Sequence, residues 1–245
     1  MSENARTVLV TGAARRIGAA IVRRLHAAGF RVAVHAHASG AELAALSAEL
    51  DAARPGSVLT LQADLRDADA VAGLVHDTLR AFGRLDALVN NASNFFPTPL
   101  DAATAAQWDE LMAVNARAPF LLAQAAAPAL RAQGGAIVNL VDAALAHPLP
   151  AHAAYTAAKG ALAALTAALA VDLAPQVRVN AVAPGAILWP EAGKDAAAQA
   201  AAMARTPLGR IGTPEEVAEA VRWLIEDARY ITGHTLPLDG GRLLG

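Results

Sequence analysis

Arg6-Thr-Val-Leu-Val-Thr11-Gly12-Ala-Ala-Arg-Arg16-Ile17-Gly18 is the stretch from which the rest of the chain is read. Its β-branched and apolar opening predicts a strand over Arg6–Thr11. The small residues that follow make a turn, and apolar periodicity then predicts a helix through about Ala28, with Gly29 as its natural stop. Two glycines at this spacing are weak evidence alone. Placed between a first strand and a first helix, they let backbone N–H groups and a helix terminus approach a pyrophosphate, with Gly12, Arg16, Ile17 and Gly18 around it.

The same rhythm continues to the end of the chain. Strands are predicted at Arg31–His35, Val58–Gln62, Leu85–Asn90, Ala136–Val141, Val177–Ala183 and Thr235–Leu238. Helices are predicted at Ala41–Ala53, Ala68–Phe82, Ala105–Ala116, Pro119–Ala132, Ala153–Leu173, Ala196–Arg205 and Pro214–Glu226, the last opened by proline at a first helical position. Regular alternation of this kind calls for right-handed crossovers and a mainly parallel sheet covered on both faces. The expected architecture is α/β, a single Rossmann-like doubly wound domain over residues 1–245. The irregular segment 186–212 is placed to act as a lid.

Composition narrows the function. Of 245 residues, 55% are hydrophobic and 17% charged, which argues against disorder. Net charge is −2 and no basic stretch carries interleaved aromatics, so nucleic acid is a poor partner. The absence of cysteine rules out disulfides and thiolate catalysis. His147 and His152, either side of Pro148 and Pro150, lack a metal-site spacing and read as solvated or packing residues; no metal is expected. No long apolar stretch precedes Arg6, and Ala161–Val171 spans only about half a bilayer. The expectation is a cytoplasmic protein without membrane association.

Strand ends supply the candidate cofactor residues. Many NAD-binding units carry an acid at the end of the second strand to hold the ribose 2′-hydroxyl. Here that place reads His35-Ala-His37-Ala38-Ser39. With no carboxylate to repel it, a 2′-phosphate is favoured, and His37, Ser39 and Arg16 are able to bond to one. The expected cofactor is therefore NADP(H), with His35 in the same site; the plain alternative makes His35 and His37 ordinary edge residues. Asp64-Leu65 follows the third strand and Asn91-Ala92-Ser93 the fourth, at the strand ends where such sheets bind ligands.

Tyr155 and Lys159 stand four apart on a predicted helix and share one face. Tyrosine holds its proton tightly, with a reference pKa of about 10, and a nearby ammonium favours the phenolate. The pair thus suits delivery of a proton to a developing anion.

These motifs together resemble the short-chain dehydrogenase/reductase family over essentially the whole chain: Thr11–Gly18, Asp64, Asn90–Ser93, Asn115, Tyr155-x3-Lys159 and Pro184-Gly185. The resemblance implies seven parallel strands and usually a tetramer. It also implies a helix-distorting Asn115 in a proton relay with Lys159, and cofactor contacts from Pro184 and Gly185.

Two departures point to a subfamily. Most members carry serine thirteen residues before the tyrosine, where this chain has Asp142; most have glycine where it has Arg16. Both departures, with Asn91–Leu100 and Pro237–Arg242, are similar to pteridine and dihydromonapterin reductases. That resemblance implies a dihydropterin or dihydrofolate substrate contacted by Arg16, Ser93, Phe95, Asp142 and Tyr155, and reduced to the tetrahydro form. Phe95 is suited to stack on a flat heterocycle. Asp142, acceptor-only when ionised, suits a ring amine better than a ketone oxygen. Ala38, where parasite-type pteridine reductases have arginine, departs from the pattern. Trp189 either closes over substrate or packs the lid. A carbonyl or 3-oxoacyl reductase, and a non-catalytic NADP(H)-binding regulator, are the competing readings.

Overall fold

The computed structural model describes residues 5–38, 40–189, 199–200 and 203–244. Seven strands, β1 (Thr7–Val10), β2 (Arg31–Ala36), β3 (Val58–Gln62), β4 (Ala87–Asn90), β5 (Ala136–Leu140), β6 (Arg178–Pro184) and β7 (Thr235–Leu238), form one sheet in the order β3-β2-β1-β4-β5-β6-β7. Every pairing is parallel. Because successive strand side chains face opposite ways, Val8 and Val10 enter one apolar layer and Leu9 the other.

The first layer is closed by α1 (Arg16–Ala27), α2 (Gly40–Ala53) and α7 (Pro214–Glu226), through Ile21, Leu46 and Val221 among others. The second is closed by α3 (Ala68–Phe82), α5 (Ala118–Gln133) and α6 (Ala153–Asp172), through Leu74, Leu122 and Leu169. This double covering explains why β1 and β4 read as continuous apolar runs, with all four residues of each buried. The chain leaves β1 towards β2 on one side and returns at β4 on the other. That reversal opens a crevice beyond the carboxyl ends of β1 and β4.

Sequence signals end the elements where expected. Gly83 closes α3 in the left-handed region, and Asp67 caps its start by accepting from the Asp69 and Ala70 amides. One expected element is built differently. The segment expected as a helix over Ala105–Ala116 is an α-helix, α4, only over Ala105–Met112, and continues as a π-turn over Ala113–Arg117. The expected helix Ala196–Arg205 and much of segment 186–212 fall outside the described residues.

By length and hydropathy α6 alone among the described residues would be able to cross a membrane. It instead buries Tyr155, Lys159, Leu162, Thr166 and Leu169 within the protein.

Candidate active site

A cleft of about 550 Å³ lies at the crevice, lined by Gly12, Arg16, Ile17, Gly18, His35, His37, Asp64, Leu65, Asn91, Ala92 and Ser93 among others. The structure thus gathers most of the cofactor residues expected from sequence. Ser39 falls outside the described residues, and Pro184 and Gly185 sit at the end of β6, where the Gly185 amide donates to Leu238 O at 2.9 Å.

The glycines of the turn are there for space. A Cβ on Gly18 would stand 2.1 Å from Gly12 O, and one on Gly12 would stand 2.8 Å from Ala92 Cα. Asn91 stitches the turn to β4, its Nδ2 donating to Thr11 O and Gly12 O at 2.9 Å each. Such a cradle fits a dinucleotide: bare backbone at a helix start, open to phosphate oxygens.

Arg16 has φ 53°, in the left-handed region where glycine is at ease and another residue is strained by about 1–2 kcal/mol. This strain explains why glycine is usual at the position, and the chain tolerates it while placing a guanidinium on the cleft wall.

Two further arginines line the cleft that the sequence reading did not single out, Arg15 and Arg66. Arg66 grips Asp64 through Nε and Nη2, the latter at 2.6 Å to Oδ2, and His37 Nε2 lies 3.7 Å from the same carboxylate. These bonds hold the Asp64 carboxyl down at about 2. Asp64 therefore presents an ion pair, and its negative charge is largely answered before any ligand arrives. Residue type alone gave no sign that Arg66 would fold back onto it.

Beyond Ser93 the cleft meets a second cluster. Tyr155 Oη donates to Asp142 Oδ2 at 2.6 Å, and Asp142 Oδ1 accepts from the Ala144 amide at 2.7 Å. Burial pushes the Tyr155 phenol well above its ordinary range, and the Asp142 charge pushes the same way. The expectation that a neighbouring ammonium favours phenolate is therefore corrected: next to a carboxylate and out of water, the phenol holds its proton.

Lys159 is 3% exposed, and its ammonium donates to Leu140 O at 2.7 Å. Desolvation draws its pKa down to about 8, opposed by the charge of Asp142. Asn115, fully buried in the π-turn, accepts from Ser93 Oγ at 2.6 Å and donates to Asn94 O and Leu111 O at 3.0 Å each. Helix distortion at Asn115 is thus present. Its side chain is directed to Ser93 and the 94 loop, while that of Lys159 is directed to Leu140.

Phe95 is 54% exposed. Its ring meets Tyr155 edge-on at 4.8 Å, and His152 stacks on it at 4.6 Å with 12° between the planes. Of the solvated and packing roles expected for His152, the structure shows packing, in this specific form. Its neighbour Ala151 has φ 58°, and the Thr98 amide donates to Ala151 O at 2.5 Å, fastening the two loops together. Trp189 is half-buried, immediately before residue 190.

A doubly wound parallel sheet with a glycine cradle at its reversal, beside a buried tyrosine and lysine, has the form of a dinucleotide-dependent oxidoreductase. The chain belongs to the short-chain dehydrogenase/reductase family, whose members work with nicotinamide dinucleotides. Residues 12–242 match a family model described as enoyl-(acyl carrier protein) reductase. The chain is 36% identical to pteridine reductase 1 of Leishmania tarentolae, across 98% of this chain and 97% of that protein. It is 39% identical to L-xylulose reductase of Bos taurus, across 97% and 96%. It is also 37% identical to a 3-oxoacyl-[acyl-carrier-protein] reductase of Synechocystis, across 98% of each.

Proposed function

We propose that the protein is an NADPH-dependent pteridine reductase, converting a dihydropterin or dihydrofolate to its tetrahydro form. The observation that carries this reading is the 2.6 Å bond from Tyr155 to the Asp142 carboxylate. A carbonyl reductase needs donors around the substrate oxygen, whereas an ionised carboxylate there only accepts and repels a lone pair. A pterin offers an amine and ring N–H groups, which a carboxylate can receive. Pteridine reductase 1 is among the chain's relatives, but carbonyl reductases resemble the chain as strongly, so the choice rests on the Asp142 contact.

The preference for NADPH rests on the charges at the adenosine end. Ala36-His37-Ala38 ends β2 with no acid, Asp64 is paired with Arg66, and Arg15 and Arg16 line the cleft. The glycine turn would hold the pyrophosphate and the arginines a 2′-phosphate. When bound, the reduced cofactor supplies a hydride.

The chain's own residues manage the compensating proton. Tyr155, held protonated by burial, donates its hydroxyl hydrogen to the substrate ring nitrogen. The Lys159 ammonium, held on Leu140 O, feels the charge of Asp142 and offsets the negative charge that grows at the Tyr155–Asp142 pair, and Asp142 orients the phenol beforehand. Ser93, Phe95 and Arg16 hold the heterocycle.

Exchange of Asp142 for the serine usual in the family tests the assignment. Asp142→Ser is expected to lower kcat/KM for a dihydropterin by at least about 100-fold, the scale of a lost acid–base contribution, while ketone turnover stays level or rises. Unchanged dihydropterin turnover in Asp142→Ser contradicts it.

A further inference from the structure

Beneath the glycine turn lies a titratable group that the proton chemistry does not use. His35, on β2, is 1% exposed. Its backbone carbonyl accepts from Ala13 N at 2.8 Å, and its ring Nδ1 accepts from Gly12 N at 3.4 Å. From the other side of the ring, Nε2 donates to Ala63 O at 3.1 Å, one residue before Asp64. Two consecutive amides of the turn and the strand end after β3 are thus held by one residue.

Only one form of the imidazole satisfies both partners: neutral, with its hydrogen on Nε2. The imidazolium would set an N–H against the Gly12 N–H. The other tautomer would do the same and turn a lone pair towards Ala63 O. Burial lowers the pKa of His35 and the neighbouring His37 reinforces it, so the environment favours the form that the hydrogen bonds require. An apolar side chain at this position would leave a buried donor and a buried acceptor unanswered, which costs more than the bonds themselves contribute.

We infer that His35 is a positioning residue for the dinucleotide, fixing the turn after β1 against the strand end after β3 in the spacing that receives pyrophosphate and adenosine. It acts through those two loops, since both ring nitrogens are committed to backbone. With the Gly12 and Ala13 amides occupied by His35, the later amides of the turn and of α1 are the ones left to face phosphate oxygens. The expectation that His35 itself bonds the cofactor is replaced by this indirect role. The inference rests on the dinucleotide reading and is independent of the pterin assignment.

Direct NADPH titration of the purified chain, followed by nucleotide or tryptophan fluorescence, tests it. His35→Leu is expected to raise the Kd for NADPH about tenfold, the effect of one unanswered buried hydrogen bond. His35→Asn sets an amide oxygen near the place of Nδ1 and is expected to recover most of the affinity. A residue that merely filled space would give the opposite order, Leu better than Asn. Wild-type affinity in His35→Leu, or equal weakening in Leu and Asn, overturns the inference. Should His35→Leu not fold, His35→Asn and His35→Gln are compared: Asn binding more tightly than Gln supports the Gly12 contact, and wild-type affinity in both overturns it. Failure of the unaltered chain to bind any nicotinamide dinucleotide would overturn the cofactor reading as well, a result distinct from equal affinities among variants.

Discussion

Lys159 carries the sharpest tension in the molecule between stability and chemistry. Its pKa falls from the ordinary 10.5 to about 8 on burial. At 1.36 kcal/mol per unit, holding it charged in the folded protein at neutral pH costs about 3 kcal/mol. The unfolded chain keeps this proton up to about pH 10.5 and the folded chain releases it near 8, so the penalty is full below pH 8 and disappears as pH rises between those values. Lys159→Met is therefore expected to be more stable than wild type at pH 7 by about 1–3 kcal/mol, after allowing for the lost bond to Leu140 O. Urea denaturation at pH 7 and pH 9.5 checks this, with the advantage smaller at the higher pH. In the wild type the ammonium answers the charge of the Tyr155–Asp142 pair, so kcat is expected to decline on the alkaline side with a midpoint near pH 8. A flat profile to pH 9.5 would contradict the role given to Lys159.

At this scale the sequence reading was strongest where spacing along one element decides geometry. Tyr155 and Lys159 lie on one helix, and Asp142, thirteen residues upstream, does reach the Tyr155 hydroxyl. It was weakest where the contact depends on how a loop folds back. Arg66 on Asp64, His152 on Phe95 and the left-handed φ of Arg16 all belong to that class, because nothing in residue order records which way such a loop turns.

Among elements, strands and helices bounded by strong signals were legible almost to the residue. The bounds of α3 and α7 agree with those expected, α3 ending at the left-handed Gly83 and α7 opening at Pro214. A distortion at Asn115 is expected from the family resemblance alone; its form, a π-turn over Ala113–Arg117, is not legible in residue type, because alanine, valine and asparagine occupy α and π turns alike. It exists where the Asn115 side chain bonds to Leu111 O within its own helix and to Asn94 O outside it. The capping box of α7 offers a measurable test of how local sequence secures an element. Thr213 Oγ1 accepts from the Glu216 amide at 3.2 Å, and Glu216 Oε2 accepts from the Thr213 amide at 2.8 Å. Thr213→Ala is expected to cost about 1 kcal/mol of folding stability with kcat/KM unchanged, because α7 lies outside the cleft. A loss of activity at full stability would show that α7 reports to the site.

For the whole molecule, alternation of strand and helix is enough to give a parallel sheet covered on both faces, whereas the strand order, with the reversal between β1 and β4 that locates the cleft, is seen only in the folded chain. Assembly is a separate question. The outward face of α6 presents Ala157, Ala164, Ala167, Ala168 and Val171 to solvent without a charge among them, and Val171 is 78% exposed. Small residues at helical spacing permit close approach of another helix, and a second copy of the chain is the partner that family membership suggests. Ala164→Glu is expected to shift the protein to a smaller species in sedimentation velocity; an unaltered sedimentation coefficient would place any interface elsewhere.

Pterin and carbonyl chemistry are separated by NADPH oxidation by the purified protein with dihydrobiopterin, dihydromonapterin and dihydrofolate, run beside a panel of ketones that includes a 3-oxoacyl thioester. Under the pteridine reductase assignment, at least one dihydropterin or dihydrofolate is turned over with kcat/KM well above every ketone, and Tyr155→Phe removes this activity. Turnover confined to the ketones, or dihydropterin reduction that survives Tyr155→Phe, would contradict it.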